Sequence, residues 1–418
     1  MTGIQEKTAS VNNLEECLKC TVCTVYCPVT AVNPGYPGPK QAGPDGERYR
    51  LKNSAYYDES LRKCLNCKRC EVACPSGVRP ADIIQAARIR YSKHSPSLRD
   101  RLLASTDFVG GIATVMAPIV NGMLSLRPVK VLMDKTIGVD AHRQFPAYSG
   151  EKFTTWWHRE AEKGQSAFSK HISYFHGCYV QYNFPRLGRD LVKIMNAVGY
   201  GVHLLSGERC CGVAKIANGL IGDACRDAQR NMEAVRRSVF KENRTVVATS
   251  STCVLTMRDE YSELLGVDNS DVRSNINLAT RFLHTLVDSG EIKIAFRKDY
   301  LKNVAYHTPC HMARLGWGVH SVELLKMIPG LNLNVLQQEC CGMSGTYGFK
   351  KENYKYSQAI GQTLFDNISA ANPDVVATDC ETCKWQIEMS TPYKVLNPVS
   401  IIAEALDVDE TRKLNGLC

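Results

Sequence analysis

From about His171 to the end of the chain, short apolar runs alternate with longer segments of helical period. Residues 172–175, 202–205, 246–248, 304–306, 333–336 and 375–377 have the length and composition of strands. Residues 187–197, 223–241, 319–327 and 354–370 carry apolar side chains at helical spacing. This alternation predicts α/β units around a mostly parallel sheet. Upstream the pattern changes. Ile83, Ile84, Ala87, Tyr91 and Leu98 predict a helix over 80–103, opened by Pro80-Ala-Asp. Residues 33–40 and 43–46, rich in proline and glycine, predict turns and loops. Residues 108–126 carry no charge and are flanked by Arg99, Arg101, Arg127 and Lys130. That length approaches the ~20 residues a helix needs to cross a bilayer. Pro118, Asn121 and the glycines at 110, 111 and 122 would break such a helix, which predicts an interfacial membrane segment, or a plain core or docking surface, rather than a span. Phe145, Tyr148, Phe153, Trp156 and Trp157 follow, an aromatic stretch suited to packing between domains.

The second half repeats itself. Cys178, Cys210-Cys211-Gly212 and Cys253 recur as Cys310, Cys340-Cys341-Gly342 and Cys383, at offsets of 132, 130 and 130 residues. The flanking text recurs as well, with Val246-Val-Ala-Thr matched by Val375-Val-Ala-Thr. A fixed offset across several landmarks indicates an internal duplication. Adjacent cysteines project to opposite faces of an extended chain, so the backbone must turn to aim both at one site. Gly342 allows that turn without the penalty a side chain would incur at positive φ. Cys380 adds a fifth thiol to the second copy, and the first copy has Ser250 at the corresponding place.

The N-terminal region carries its own repeat. Cys17, Cys20, Cys23 and Cys27, followed by Pro28, recur in spacing as Cys64, Cys67, Cys70 and Cys74, followed by Pro75. Zinc also takes C-x2-C pairs, but a run of four cysteines and a proline, occurring twice, argues for iron–sulfur clusters. Nineteen cysteines among 418 residues reinforce a metal or redox reading. Residues 1–17 are polar and lack the charged-then-apolar pattern of a leader, which predicts a cytoplasmic protein with ligand cysteines rather than disulfides. The net charge of +9 is scattered, with short basic runs at 88–101 and 226–244; no nucleic-acid-binding pattern is present. No GxGxxG turn opens a helix after a strand, so a flavin or nicotinamide must belong to a partner.

These motifs resemble known families. The N-terminal runs are similar to bacterial two-cluster ferredoxins. That resemblance implies two 4Fe–4S clusters, one on Cys17, Cys20, Cys23 and Cys74, the other on Cys64, Cys67, Cys70 and Cys27. The duplicated part resembles the cysteine-rich, or CCG, domain of heterodisulfide reductase subunits. Its complete five-cysteine set, here Cys310, Cys340, Cys341, Cys380 and Cys383, implies a further, non-cubane iron–sulfur cluster. Cys178, Cys210, Cys211 and Cys253 form the first copy's cofactor-binding set, incomplete because serine oxygen is a harder iron ligand than thiolate. An ordinary cluster, a labile one or none is open there, and four cysteines suffice for a cubane. The whole layout resembles the iron–sulfur subunits of anaerobic glycerol-3-phosphate dehydrogenase and of glycolate oxidase. It implies flavoprotein dehydrogenase partner subunits, a membrane quinone (menaquinone) acceptor and a peripheral place on the cytoplasmic face of the cell membrane. The competing reading is a catalytic subunit that reduces a disulfide at the CCG cluster.

The expected architecture is therefore multidomain. An α-helical ferredoxin-like two-cluster domain over 1–104 is followed by an apolar segment and linker over 105–170. A duplicated α/β cysteine-rich domain completes the chain, with modules over 171–290 and 291–418. His176, His307 and His311 stand beside cluster cysteines, and Trp317, Tyr347 and Trp385 stand near the second module, where each could serve a quinone or simply pack. Cys225 reads as a small core residue, and Cys418 has no partner pattern.

Overall fold

The computed structural model describes residues 14–417; the polar opening at 1–13 and Cys418 lie outside the described residues. Two four-stranded, all-parallel sheets dominate the C-terminal part. The first contains β1 (Lys170–Phe175), β2 (Tyr200–Leu204), β3 (Thr245–Ala248) and β4 (Ile276–Leu278) in the order β2-β1-β3-β4. The second contains β5 (Lys302–Tyr306), β6 (Leu331–Val335), β7 (Val375–Ala377) and β8 (Val395–Leu396) in the corresponding order β6-β5-β7-β8. The identical order shows the duplication in three dimensions. Each sheet has a fourth strand that the sequence pattern did not separate, because three residues at 276–278 and two at 395–396 are too short for an alternation signal.

The two sheets share one apolar core. Ile172, Tyr174, Val202 and Val247 from the first module and Val304, Tyr306, Ala377 and Leu396 from the second belong to a single buried cluster. Phe153, Trp156 and Trp157 join it, which gives the aromatic linker its packing role. The packing is reciprocal. Helix Pro185–Ala197 of the first module lies on Pro398–Ala405 of the second, and Ala279–Asp288 lies on Gly318–Lys326. Corresponding hydrogen bonds also repeat: the hydroxyl of Tyr174 meets Thr249 Oγ1 at 3.1 Å, and that of Tyr306 donates to Asp379 at 2.7 Å.

The N-terminal domain is helical and lacks strands among the described residues. The expected helix over 80–103 is two helices, Pro80–Tyr91 and Leu98–Ala104. Pro96 cannot continue the first, and Ser97 opens the second with a capping box to Asp100. The domain packs on the second module, Arg69–Val72 on Cys310–Leu315 and Pro28–Val32 on Tyr354–Ala371. It reaches the first through Asn66, which donates to Glu260 at 2.7 Å, and Arg88, which donates to the Ala217 carbonyl at 2.9 Å.

The uncharged stretch forms helices Thr106–Val115 and Ala117–Ser125, bent by 106° at Met116, followed by Arg127–Thr136. Among the described residues no single helix is long and apolar enough to cross a membrane; only this bent pair passes together. It presents an unusual amount of apolar surface to solvent, with Phe108 69% and Val115 78% exposed, and Ile112, Met116, Ile119 and Met123 also outward. Scattered exposed apolar residues are ordinary, whereas a contiguous group marks an interaction site.

Candidate functional site

In both ferredoxin-type runs the backbone takes the left-handed conformation at non-glycine residues in matching places. These are Lys19 (φ 58°) and Thr21 (φ 61°) in the first run, and Asn66 (φ 55°) and Lys68 (φ 63°) in the second. Each costs on the order of 1 kcal/mol or more, so four at equivalent positions indicate a backbone shaped to converge thiols. Cys17, Cys20, Cys23 and Cys74 line one small cavity, and Cys27, Cys64, Cys67 and Cys70 line another. The fourth cysteine of each run thus faces the other run's first three. Burial pushes the Cys64 thiol up to about 12, which makes an unpaired thiolate there unfavourable. Four thiols converging around each void suit a soft, multinuclear metal centre.

In the second module, Cys310, Cys340, Cys341, Cys380 and Cys383 surround a cavity of about 100 Å³. Cys67 of the ferredoxin-type domain lines the same cavity. Hydrogen bonds from the Cys310 and Cys67 thiols lower Cys340 to about 5. Gly342 turns the adjacent pair at φ 81°, and a Cβ there would meet the Ser357 carbonyl oxygen at 2.0 Å. Helix Tyr354–Ala371 therefore approaches the turn as closely as only glycine permits. The chemistry of this donor set and the void it encloses fit an iron–sulfur group.

In the first module Cys178 and Cys210 approach to 3.7 Å between sulfurs, and hydrogen bonds link Cys211 with Cys210 and Cys253. These four converge. Ser250, at the place of Cys380, lies beside Cys253; its hydroxyl hydrogen-bonds that thiol, caps helix Ser251–Leu255 and donates to Glu381 at 2.9 Å. A separate cavity of about 570 Å³ adjoins Cys178 and Cys210, lined also by Asp107, His176 and Glu208. Its polar groups are satisfied, since Glu208 accepts from the backbone of His176 and Gly177 and Asp107 accepts from that of Cys210.

The histidines divide. His311 bridges Thr252 and the Asn66 carbonyl, both at 3.2 Å, and so ties the ferredoxin-type domain to the first module. Burial holds His176 down at about 4, where it is neutral beside Glu208. His307 is fully buried, with neither ring nitrogen hydrogen-bonded among the described residues. Trp317 is covered by the guanidinium groups of Arg258 and Arg281, and Trp385 meets Tyr179 edge-on; both are packing residues. Cys225 is buried in the first module's core, as expected.

Sequence reasoning passed over Lys68. Its buried ammonium lies against Asp82, with Glu260 at 3.7 Å and Glu71 at 3.9 Å, and Arg314 reaches Glu71 at 3.1 Å. This network joins the ferredoxin-type domain to both modules beside Cys67. The available signal was a lysine inside a tight cysteine run, at a position that must adopt left-handed backbone.

Comparison with known proteins agrees with this geometry. A cysteine-rich CCG domain model matches residues 172–258 and 304–388, and a 4Fe-4S dicluster domain model matches 13–78. The C subunit of the anaerobic glycerol-3-phosphate dehydrogenase of Escherichia coli is 53% identical over 94% of this chain and 99% of its own. The D subunit of the dihydromethanophenazine:CoB–CoM heterodisulfide reductase of Methanosarcina barkeri is 24% identical over 94% of each. Lactate utilization protein A 2 of Bacillus cereus is 27% identical over 47% of this chain and 78% of its own. The chain belongs to the family of the C subunits of anaerobic glycerol-3-phosphate dehydrogenase, as an iron–sulfur protein with a ferredoxin-type dicluster domain and tandem CCG modules.

Proposed function

We propose that this chain carries electrons from a flavin-dependent glycerol-3-phosphate dehydrogenase subunit to menaquinone in the membrane. The observation that carries the reading is the position of Cys67. It lines both the cavity of Cys27, Cys64 and Cys70 and the cavity of Cys310, Cys340, Cys341, Cys380 and Cys383. Two sites with a common wall suit transfer within one chain. Cys17, Cys20, Cys23 and Cys74 would hold one 4Fe–4S cluster, and Cys27, Cys64, Cys67 and Cys70 the other. The five cysteines of the second module would hold a further, non-cubane cluster. When bound, such clusters supply one-electron steps between a two-electron flavin and a two-electron quinone.

The protein's own part is positioning. The Lys68 network fixes the ferredoxin-type domain against both modules, and Cys27, Cys70, Cys340, Cys341, Cys380 and Cys383 are buried where the two cavities meet. The exposed apolar face of Thr106–Val115 and Ala117–Ser125 supports peripheral docking on the cytoplasmic face of the membrane.

The test is anoxic co-purification from membranes followed by assay with a quinone analogue. Glycerol 3-phosphate-dependent quinone reduction with a flavoprotein bound is the expected result. Activity with glycolate or lactate would replace the partner. A chain that isolates alone and reduces a disulfide would overturn the reading.

A further inference from the structure

Three lysine or arginine side chains are buried among the described residues: Arg50, Lys68 and Arg143. Two of them meet carboxylates. Arg50 lies against Glu47 at 2.6 Å, and Lys68 lies against Asp82 with Glu260 and Glu71 close by. Arg143 is the exception. It is 0% exposed, yet its polar partners among the described residues are neutral: its guanidinium donates to the Gly348 carbonyl, to Gln386 Oε1 and, at 2.8 Å, to Ser357 Oγ. The rings of Tyr354 and Phe349 lie 4.8 and 6.0 Å from its central carbon. The neighbouring Asp140 carboxylate is turned to His142, accepting from its backbone at 2.8 Å and meeting its ring at 3.0 Å. Burial lowers the Arg143 guanidinium to about 10, the direction expected of a cation short of counter-charge. Neutral acceptors satisfy its hydrogens but not its charge, and a buried ion without an opposite charge is strongly disfavoured.

The surroundings of Arg143 indicate where that charge is answered, because its partners stand behind both cysteine pairs of the second module. The Ser357 carbonyl is pressed onto the Cys340-Cys341-Gly342 turn, where a Cβ on Gly342 would meet it at 2.0 Å. Gln386 stands three residues after Cys383 on helix Glu381–Ser390, and Cys380 is the N-cap of that helix. Gln386 Nε2 also reaches the Ser357 carbonyl at 3.3 Å, so the three partners form one cluster. Among the thiols, Cys341 is the one whose charge acts on Arg143. An iron–sulfur group held by cysteine thiolates is a net anion, and its potential depends on the charge around it.

Resting on the iron–sulfur centre proposed for the second module, we infer that Arg143 is the buried counter-ion of that centre and holds its reduction potential up. The step concerned is a one-electron reduction, the electron coming from the flavoprotein partner through the ferredoxin-type sites. A fixed positive charge favours the reduced, more negative form over the oxidised one. Arg143 makes no hydrogen bond to a ligand thiol among the described residues, so it is a positioning residue, acting across the Gly342 turn and helix Glu381–Ser390.

The experiment is an anoxic redox titration of the complex with its flavoprotein partner, followed by electron paramagnetic resonance. The second-module signal is identified as the one lost in Cys383→Ser. The inference expects Arg143→Gln to lower the reduced-to-oxidised ratio of that signal about tenfold at fixed potential, a fall of about 59 mV for a one-electron couple. The signals of the ferredoxin-type clusters should not move. Arg143→Lys keeps the charge while losing the fork of contacts, and should stay near the parent ratio. Loss of second-module iron in Arg143→Gln but not in Arg143→Lys would also support the inference, since the charge is then what holds the anionic centre. An unchanged ratio in Arg143→Gln, equal shifts in both variants, or loss of iron in both would overturn it while leaving the electron-carrier reading intact. A parent complex with no signal that Cys383→Ser removes would take away the proposed centre and this inference with it.

Discussion

Ser250 Oγ donates to Glu381 Oε2 at 2.9 Å and accepts from the Cys253 backbone at 3.3 Å. The residue standing where the second module has Cys380 is thus a helix cap and a brace between modules. Ser250→Ala removes both contacts and is expected to destabilise the protein by about 1–2 kcal/mol, read as a lower thermal midpoint. Ser250→Cys supplies a fifth thiol to Cys178, Cys210, Cys211 and Cys253. Iron bound per chain after anoxic reconstitution should rise in Ser250→Cys and not in Ser250→Ala.

The two CCG turns should respond unequally to a methyl group. At Gly342 an added Cβ meets the Ser357 carbonyl at 2.0 Å, whereas at Gly212 the nearest atom is 3.8 Å away. Gly212→Ala then carries only the left-handed backbone penalty, about 1 kcal/mol. Gly342→Ala must displace helix Tyr354–Ala371 and should abolish iron binding at the second module, measured by iron content and visible absorbance.

Removing the Lys68 ammonium leaves Asp82, Glu71 and Glu260 facing one another without their central cation. Lys68→Met is expected to cost about 3–5 kcal/mol and to release the ferredoxin-type domain to limited proteolysis. Adding Glu260→Gln should restore part of the loss, because one of the uncompensated carboxylates is then neutral.

Asp190 lies between the modules and accepts from Ser400 Oγ at 2.6 Å. Burial raises its carboxyl to about 6 from the usual value near 3.8. The folded protein therefore keeps this proton while the unfolded chain has released it. Stability from this group is fully present below pH 3.8, falls as pH rises towards 6, and changes little beyond. The shift corresponds to about 3 kcal/mol at most. Asp190→Asn should flatten the decline of the thermal midpoint between pH 4.5 and 6.5.

The exposed apolar face can be tested without redox chemistry. Phe108→Asp together with Val115→Asp alters two side chains that are 69% and 78% exposed, so the fold should tolerate the change. Flotation with anionic phospholipid vesicles should fall at least tenfold relative to the parent protein.

Much of this arrangement was legible in the chain. The crossed grouping was an expectation from the resemblance to two-cluster ferredoxins, whereas the 130-residue offset predicted paired modules, because a duplication leaves marks at fixed separations. The central strands followed from apolar runs. Strands β4 and β8 did not, since so few residues carry no period. The helix over 80–103 was read through its break, although Pro96 and the Ser97 cap stood there. What escaped entirely was contact between distant segments. Nothing local tells that Cys67 borders Cys340 or that Lys68 faces Glu260.

The common core beneath the two sheets bears on why the modules could diverge. Ile172, Val202, Val304 and Leu396 are held by one another rather than by metal. Each sheet is therefore packed against its twin independently of the cysteines at the strand ends. In this chain the duplicated frame carries five thiols at one site and, at the other, four thiols with a hydroxyl that braces the two modules.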